Sequence, residues 1–164
     1  MRALLKDTRQ QAGKHSHKDA WFDEHGVTTL RTKVPVGDYC EAPSVSVDTK
    51  KDIYELAMDI DRDHERFKRE MLTARDLGCR LVVLVENTDG IKSLEDLAEW
   101  REPIGHLAMR KRSSKSVTAR QIHGSRLAKA CKTMEDRYGV RFAFCHPNES
   151  AESICRILGG GTDA

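Results

Sequence analysis

Asp38, Asp48 and Lys50 are the residues whose types and spacing best suit chemistry. Asp38 follows Gly37 in one extended segment. Asp48 and Lys50 stand two apart in the next, 46–50, where alternation across a pleat puts both on one face. Two carboxylates converging there can hold Mg²⁺ or Mn²⁺ through hard oxygen ligands, with waters and a substrate phosphate completing the shell. Such an ion lowers the pKa of a bound water and offsets charge on a leaving oxygen. Lys50 can orient the attacking water or stabilise developing negative charge. On spacing alone, the solvated outer face of a sheet explains the same alternation of acid, threonine and lysine.

The elements that must position these residues follow from periodicity and punctuation. Residues 3–6 are a short apolar run, read as a strand that delivers Asp7 at its end, and residues 17–25 read as a short helix. Residues 27–34 are β-branched and read as a strand; Pro35 and Gly37 then interrupt the chain before Asp38-Tyr39-Cys40. With a turn over 41–44, this predicts a hairpin whose second strand turns Val45, Val47 and Thr49 to the core. Ser46, Asp48 and Lys50 face the other way. Residues 52–77 keep three-and-four apolar spacing through Ile53, Leu56, Ala57, Ile60, Phe67, Met71, Ala74 and Leu77, which predicts one long amphipathic helix ended by Gly78. The apolar run 80–86 predicts a strand covered on both faces. Ser93 caps a helix through residue 100, a second long helix spans 118–138 to Gly139, 140–145 is a strand and 149–158 a closing helix. Strands alternating with helices after an initial hairpin imply an α/β fold with a mixed β-sheet flanked by helices.

At 164 residues, 38% of them hydrophobic, the chain can bury one core but not two of ordinary size, so one domain over residues 1–158 is expected. A mobile basic loop at 110–117 and a disordered tail at 159–164 complete that expectation. No run approaches the roughly 18 to 20 apolar residues that cross a bilayer. The first residues lack a secretory signal pattern, which points to the cytoplasm. Five scattered cysteines, odd in number and without close pairing, read as reduced packing thiols. A net charge of +2 conceals an uneven distribution: residues 52–65 hold six acids and one Arg, while 105–134 hold eight Lys or Arg and no acid. An unbroken basic stretch suits a polyanion, because each cation meeting a phosphate releases condensed counterions. A solvated helix face with a loop is the plainer alternative.

Several segments, taken in order, resemble the XPF-type nucleases, a branch of the PD-(D/E)XK restriction-endonuclease-like superfamily. Asp7-Thr8-Arg9-Gln10 looks like the family's early acid-x-Arg-acid motif, with Gln10 in place of the second acid. Val34-Pro35-Val36-Gly37-Asp38-Tyr39 is similar to its Gly-Asp strand. Val47-Asp48-Thr49-Lys50 stands where the family has Val-Glu-Arg-Lys, and Asp52-Ile53 opens the following helix two residues closer to the lysine than usual. The segment 64–70, with Arg66-Phe67, and the strand 81–86 ending in Val-Glu continue the match.

The resemblance covers residues 3–90 and implies a restriction-endonuclease-like fold. It also implies a nuclease domain, without the helix-hairpin-helix domain of many relatives, that cleaves DNA phosphodiesters, often at branched or junction DNA. Carried over by position, Asp38 and Asp48 are metal ligands for Mg²⁺ or Mn²⁺, Lys50 is the catalytic amine and Asp7 an additional acid near the metal. A homodimer is implied as well.

Arg110, Lys111, Arg112, Lys115 and Arg120 are expected to track DNA phosphates. Arg66 has two readings, a phosphate contact or a salt bridge to Asp63 or Glu70 along its helix; Glu70 reads chiefly as surface charge, with support of the residues that meet the metal as the alternative. The seven histidines offer no third ligand at useful spacing, and His64 reads as a packing residue. Two rivals stay open. One is a nuclease-like module that grips nucleic acid without cutting it; the other is a small phosphatase or nucleotide hydrolase using the same acids.

Overall fold

The computed structural model describes residues 4–10, 16–41, 45–106 and 121–159. Six strands form one mixed sheet in the order β2-β1-β3-β4-β5-β6. They are β1 (Leu4–Asp7), β2 (Thr29–Thr32), β3 (Tyr39–Glu41), β4 (Val45–Lys50), β5 (Arg80–Glu86) and β6 (Arg141–Cys145). β4, β5 and β6 run parallel, β3 joins β4 and β1 antiparallel, and β2 lies parallel to β1 at the edge. Among the described residues the α-helices are α1 (Ser16–Glu24), α2 (Ile53–Asp61), α3 (His64–Asp76), α4 (Leu94–Glu99), α5 (Gly124–Tyr138) and α6 (Ser150–Leu158).

Alternation along the strands divides the core in two. Leu81, Val83 and Val85 of β5 pack with Ile53 and Leu56 of α2, Phe67 and Met71 of α3, Leu97 of α4 and Leu127 and Cys131 of α5. Val47 and Leu84 face the opposite way, against Phe22 of α1 and Ala151, Ile154 and Leu158 of α6. The expected flanked, mixed α/β sheet is thus present, and β5 is buried along nearly its whole length, as its continuous apolar run requires.

The structure departs from the sequence reading in three places. The helix expected over 52–77 is two helices, because Arg62 and Asp63 both direct their N–H groups to the Met58 carbonyl and end the first one. The break falls at a gap in the apolar stripe. Between Ile60 and Phe67 every residue is polar, so a straight helix would have turned charge onto the sheet. The helix expected from residue 118 begins at Gly124, where the chain crosses the end of α4: a Cβ on Gly124 would stand 2.0 Å from the Leu97 carbonyl oxygen and 2.5 Å from that of Trp100. The strand expected over 27–34 shrinks to the exposed edge strand β2, since only four residues find a partner, in β1. The plainer alternative for β4, a solvated outer face, does not hold. From Ser46 to Lys50 the strand is buried on both sides, because the helices after it fold back over it.

Ser93 caps α4 through the Asp96 N–H at 3.1 Å. The cysteines are all free thiols, with Cys40, Cys131 and Cys145 buried. His64, expected among packing residues, is exposed at the start of α3. Among the described residues no helix is long and apolar enough to cross a membrane. The turn at 42–44, the basic loop and residues 160–164 lie outside the described residues.

Candidate active site

Strand register assembles the candidate residues. Tyr39 pairs with Val47 across the β3–β4 ladder, so Asp38, one step before β3, stands beside the Asp48–Thr49 end of β4. The Asp38 N–H donates to the Val47 carbonyl at 2.9 Å. Its carboxylate Oδ2 accepts from the Thr49 N–H at 3.1 Å and from the Thr49 hydroxyl at 2.8 Å. From the other side the Asp7 N–H donates to the Asp38 carbonyl at 2.8 Å, which ties the end of β1 to the same corner. Asp7, Asp38, Asp48 and Lys50 therefore line one open cleft of about 560 Å³, with Arg9, Gln10, Glu55, Arg66 and Glu70 around them.

Gly37 makes the corner possible. Its φ is +74°, a region L side chains rarely adopt, and a Cβ there would meet the Ser46 hydroxyl at 2.5 Å and the Val47 carbonyl at 2.9 Å. The Ser46 hydroxyl in turn donates to the carbonyls of Val36 and Tyr39, holding the approach to the corner from beneath. The Gly37 N–H donates to Glu70 Oε1 at 2.9 Å. Glu70 is thus not merely surface charge; it clasps the segment that carries Asp38.

Asp48 and Lys50 share a face of β4, as alternation predicts, and form an ion pair at 2.7 Å. Lys50 reaches a second carboxylate, Asp59 of α2, at 2.5 Å. Its ammonium also lies 5.0 Å from the centre of the Phe67 ring. Burial alone would lower the pKa of Lys50, but the charges of Asp48 and Asp59 outweigh it and hold the ammonium protonated above its ordinary range. Lys50 is accordingly a fixed cation rather than a base. For Asp48, burial raises the pKa; Lys50 opposes the shift, while the neighbouring charges of Glu70 and Asp38 add to it.

Asp7 has a different setting. Burial works to raise its pKa, yet hydrogen bonds from the Arg9 side chain and backbone, with the Arg9 charge, bring it below the usual carboxylate range. Arg9 Nε lies 2.8 Å from Asp7 Oδ2 and 3.0 Å from Oδ1, and the Arg9 N–H lies 2.8 Å from Oδ1. Arg66, at the rim, pairs at 3.0 Å with Asp59, not with Asp63 or Glu70. Asp52 caps α2 by accepting from the Glu55 N–H at 2.8 Å. Arg110, Lys111, Arg112, Lys115 and Arg120 lie outside the described residues.

A hard divalent ion is often held by only one or two carboxylates, with waters and substrate phosphates supplying the rest of the shell. Asp38 and Asp48 meet that requirement chemically: they are oxygen donors on one cleft wall, and the crowding of Asp48 by two like charges is what a cation relieves. Among the described residues no three His, Cys, Asp or Glu side chains are grouped to hold an ion by themselves.

Sequence reasoning gave no site role to Asp59, Thr49 or Arg9. Asp59 alone carried a usable signal. It stands three residues after Leu56 and beside Ile60, which puts an acid on the inward edge of an apolar helix stripe. The Glu70–Gly37 contact depends on how α3 returns over the sheet and leaves no trace in local spacing.

No protein-family model matches the sequence, and neither does any curated protein. The fold does match solved structures. XPF from Aeropyrum pernix superposes on this chain at 17% sequence identity with a TM-score of 0.63, covering 99% of this chain and 62% of that one. A second structure of XPF from Aeropyrum pernix, a complex with DNA, gives 17% identity and a TM-score of 0.65, covering 99% and 66%. This chain spans a little under two thirds of the length of those proteins. At that identity the likeness is one of fold, and it agrees with the restriction-endonuclease-like sheet that the motifs implied.

Proposed function

We propose that this chain is a metal-dependent nuclease that hydrolyses DNA phosphodiester bonds, with branched or junction DNA among the substrates that the resemblance implies. The observation that carries this reading is the meeting of three chain-distant segments, Asp7, Gly37-Asp38 and Asp48-x-Lys50, on one cleft. It gains support from the fold shared with XPF from Aeropyrum pernix, one structure of which is a complex with DNA.

Asp38 and Asp48 would hold Mg²⁺ or Mn²⁺, which when bound supplies Lewis acidity toward water and phosphate. Everything else falls to the chain. Lys50, seated between two carboxylates, presents a permanent positive charge where negative charge develops on the phosphate, and needs no reorganisation to do so. Thr49 fixes the Asp38 carboxylate through two hydrogen bonds, and Glu70 holds the N–H of the preceding Gly37. Arg66 and Arg9, on the cleft wall with side chains more than half exposed, suit phosphates flanking the reacting one. The basic segment carrying Arg110, Lys111, Arg112, Lys115 and Arg120 extends those interactions along the DNA backbone.

A second reading, a module that binds DNA without cutting it, is favoured by one observation: the Lys50 charge is already met by both Asp48 and Asp59. End-labelled branched, duplex and single-stranded DNA incubated with Mg²⁺ or Mn²⁺ separates the two. Cleavage is expected, abolished by chelation and reduced at least about a hundredfold in Asp48→Asn, the scale on which loss of one preorganised charged group is felt. Tight binding with no cleavage supports the second reading. An Asp48→Asn protein that cuts like the wild type refutes the site, and hydrolysis of mononucleotides alone points to a small phosphatase.

A further inference from the structure

Asp59 is 4% exposed, and each of its oxygens is committed to a different cation. Oδ2 lies 2.5 Å from Lys50 Nζ, and Oδ1 lies 3.0 Å from Arg66 Nη2. A carboxylate removed from water is costly unless charge and hydrogen bonds compensate it, so an acid retained here needs a reason beyond solubility. Asp59 also comes from α2, whereas Asp48 and Lys50 belong to β4.

We propose that Asp59 is a positioning residue for Lys50. A lysine ammonium is a compact point charge on a flexible four-carbon stem, with none of the planar geometry that orients a guanidinium. Asp48 alone would leave it free to swing about a single partner. Asp59 closes the seat from a second element, and the Phe67 ring, 5.0 Å away, bounds it from a third, α3. Through Oδ1 the seat is joined to Arg66, whose side chain is 62% exposed, so a phosphate drawn to the rim is linked through one residue to the ammonium inside. The geometry stands by itself; its catalytic consequence rests on the nuclease reading.

Two measurements on the full chain test this. The first is nitrogen-15 NMR of lysine ammonium groups, with the Lys50 signal assigned by its loss in Lys50→Arg. The wild type is expected to show a Lys50 signal protected from solvent exchange, and Asp59→Asn to shift it or lose it while the backbone amide spectrum is kept. Asp61→Asn is the control. It lies on the same helix, pairs at the surface with Arg126 at 3.0 Å, and should leave the signal in place. If the asparagine variant does not fold, Asp59→Glu, which keeps the charge but displaces it by one methylene, should still move the signal.

The second measurement is cleavage kinetics. Asp59→Asn should lower kcat by roughly a hundredfold, as small misplacements of a catalytic group do, with DNA affinity in the presence of chelator within about twofold of wild type. Asp59→Glu should recover part of that loss. An unmoved Lys50 signal in Asp59→Asn, an equal response in Asp61→Asn, or a displaced signal with unchanged kcat overturns the proposal. Should the wild type cut no DNA at all, the nuclease reading fails and the NMR result alone decides whether Asp59 seats Lys50.

Discussion

A second buried ion pair lies on the sheet face opposite the cleft. Lys18 of α1 meets Glu86 at the end of β5 at 2.5 Å, and both are almost wholly excluded from solvent. The Ser150 hydroxyl donates to Glu86 Oε1 at 2.8 Å. Breaking a buried pair leaves an uncompensated charge, whereas replacing both partners by apolar groups of similar volume is often neutral or stabilising. Glu86→Gln is therefore expected to destabilise the protein by about 3–5 kcal/mol, and Lys18→Met with Glu86→Leu to recover most of that loss, both read from urea denaturation. A single variant within about 1 kcal/mol of wild type would show that water reaches the pair. Of these two buried clusters, only the one facing the cleft could be anticipated. Asp48 and Lys50 announce themselves by alternation, while Lys18 and Glu86 are 68 positions apart in sequence, a separation no periodicity spans.

Among the elements, the corner before β3 and the break between α2 and α3 do most to form the site. The break lets α3 return across the sheet, so that Phe67 bounds Lys50 and Glu70 reaches Gly37. The corner depends on Gly37, where both the positive φ and the nearness of the Val47 carbonyl oppose a side chain. Gly37→Ala should cost more than Gly26→Ala. Gly26 has a similar φ of +66° but nothing within 4 Å of an added Cβ, so its substitution meets only the left-handed backbone penalty of roughly 1–2 kcal/mol. Chemical denaturation of both variants measures the difference; equal losses would mean that the corner relaxes freely around a methyl group. Because Asp38 follows the corner directly, Gly37→Ala should also lower cleavage more than its stability loss explains.

Along the whole sequence, charge is unevenly distributed. The acids of residues 52–65 lie on and around α2, which borders the cleft, and the acid-free basic stretch runs from residue 105 into α5. Removing one cation that meets a phosphate should reduce the steepness of log affinity against log salt by about 0.9 on duplex DNA. Neutralising Arg110, Lys111 and Arg112 together is thus expected to weaken DNA binding and flatten its salt dependence in a titration from low to moderate salt. An unchanged slope would assign the segment to solubility.

What the sequence determined by itself were the properties carried by local repetition: strand and helix identity from apolar period, the shared face of Asp48 and Lys50, and the turn glycine before Asp38. These are legible because backbone geometry repeats every two or 3.6 residues whatever the rest of the chain does. Tertiary structure alone decided that the polar face of β4 is buried, that Asp59 and Glu70 join the site, and that Arg66 pairs with Asp59. Each of those outcomes depends on where α2 and α3 come to rest against the sheet. That placement is fixed by packing the whole apolar stripe of both helices, not by any residue at the site.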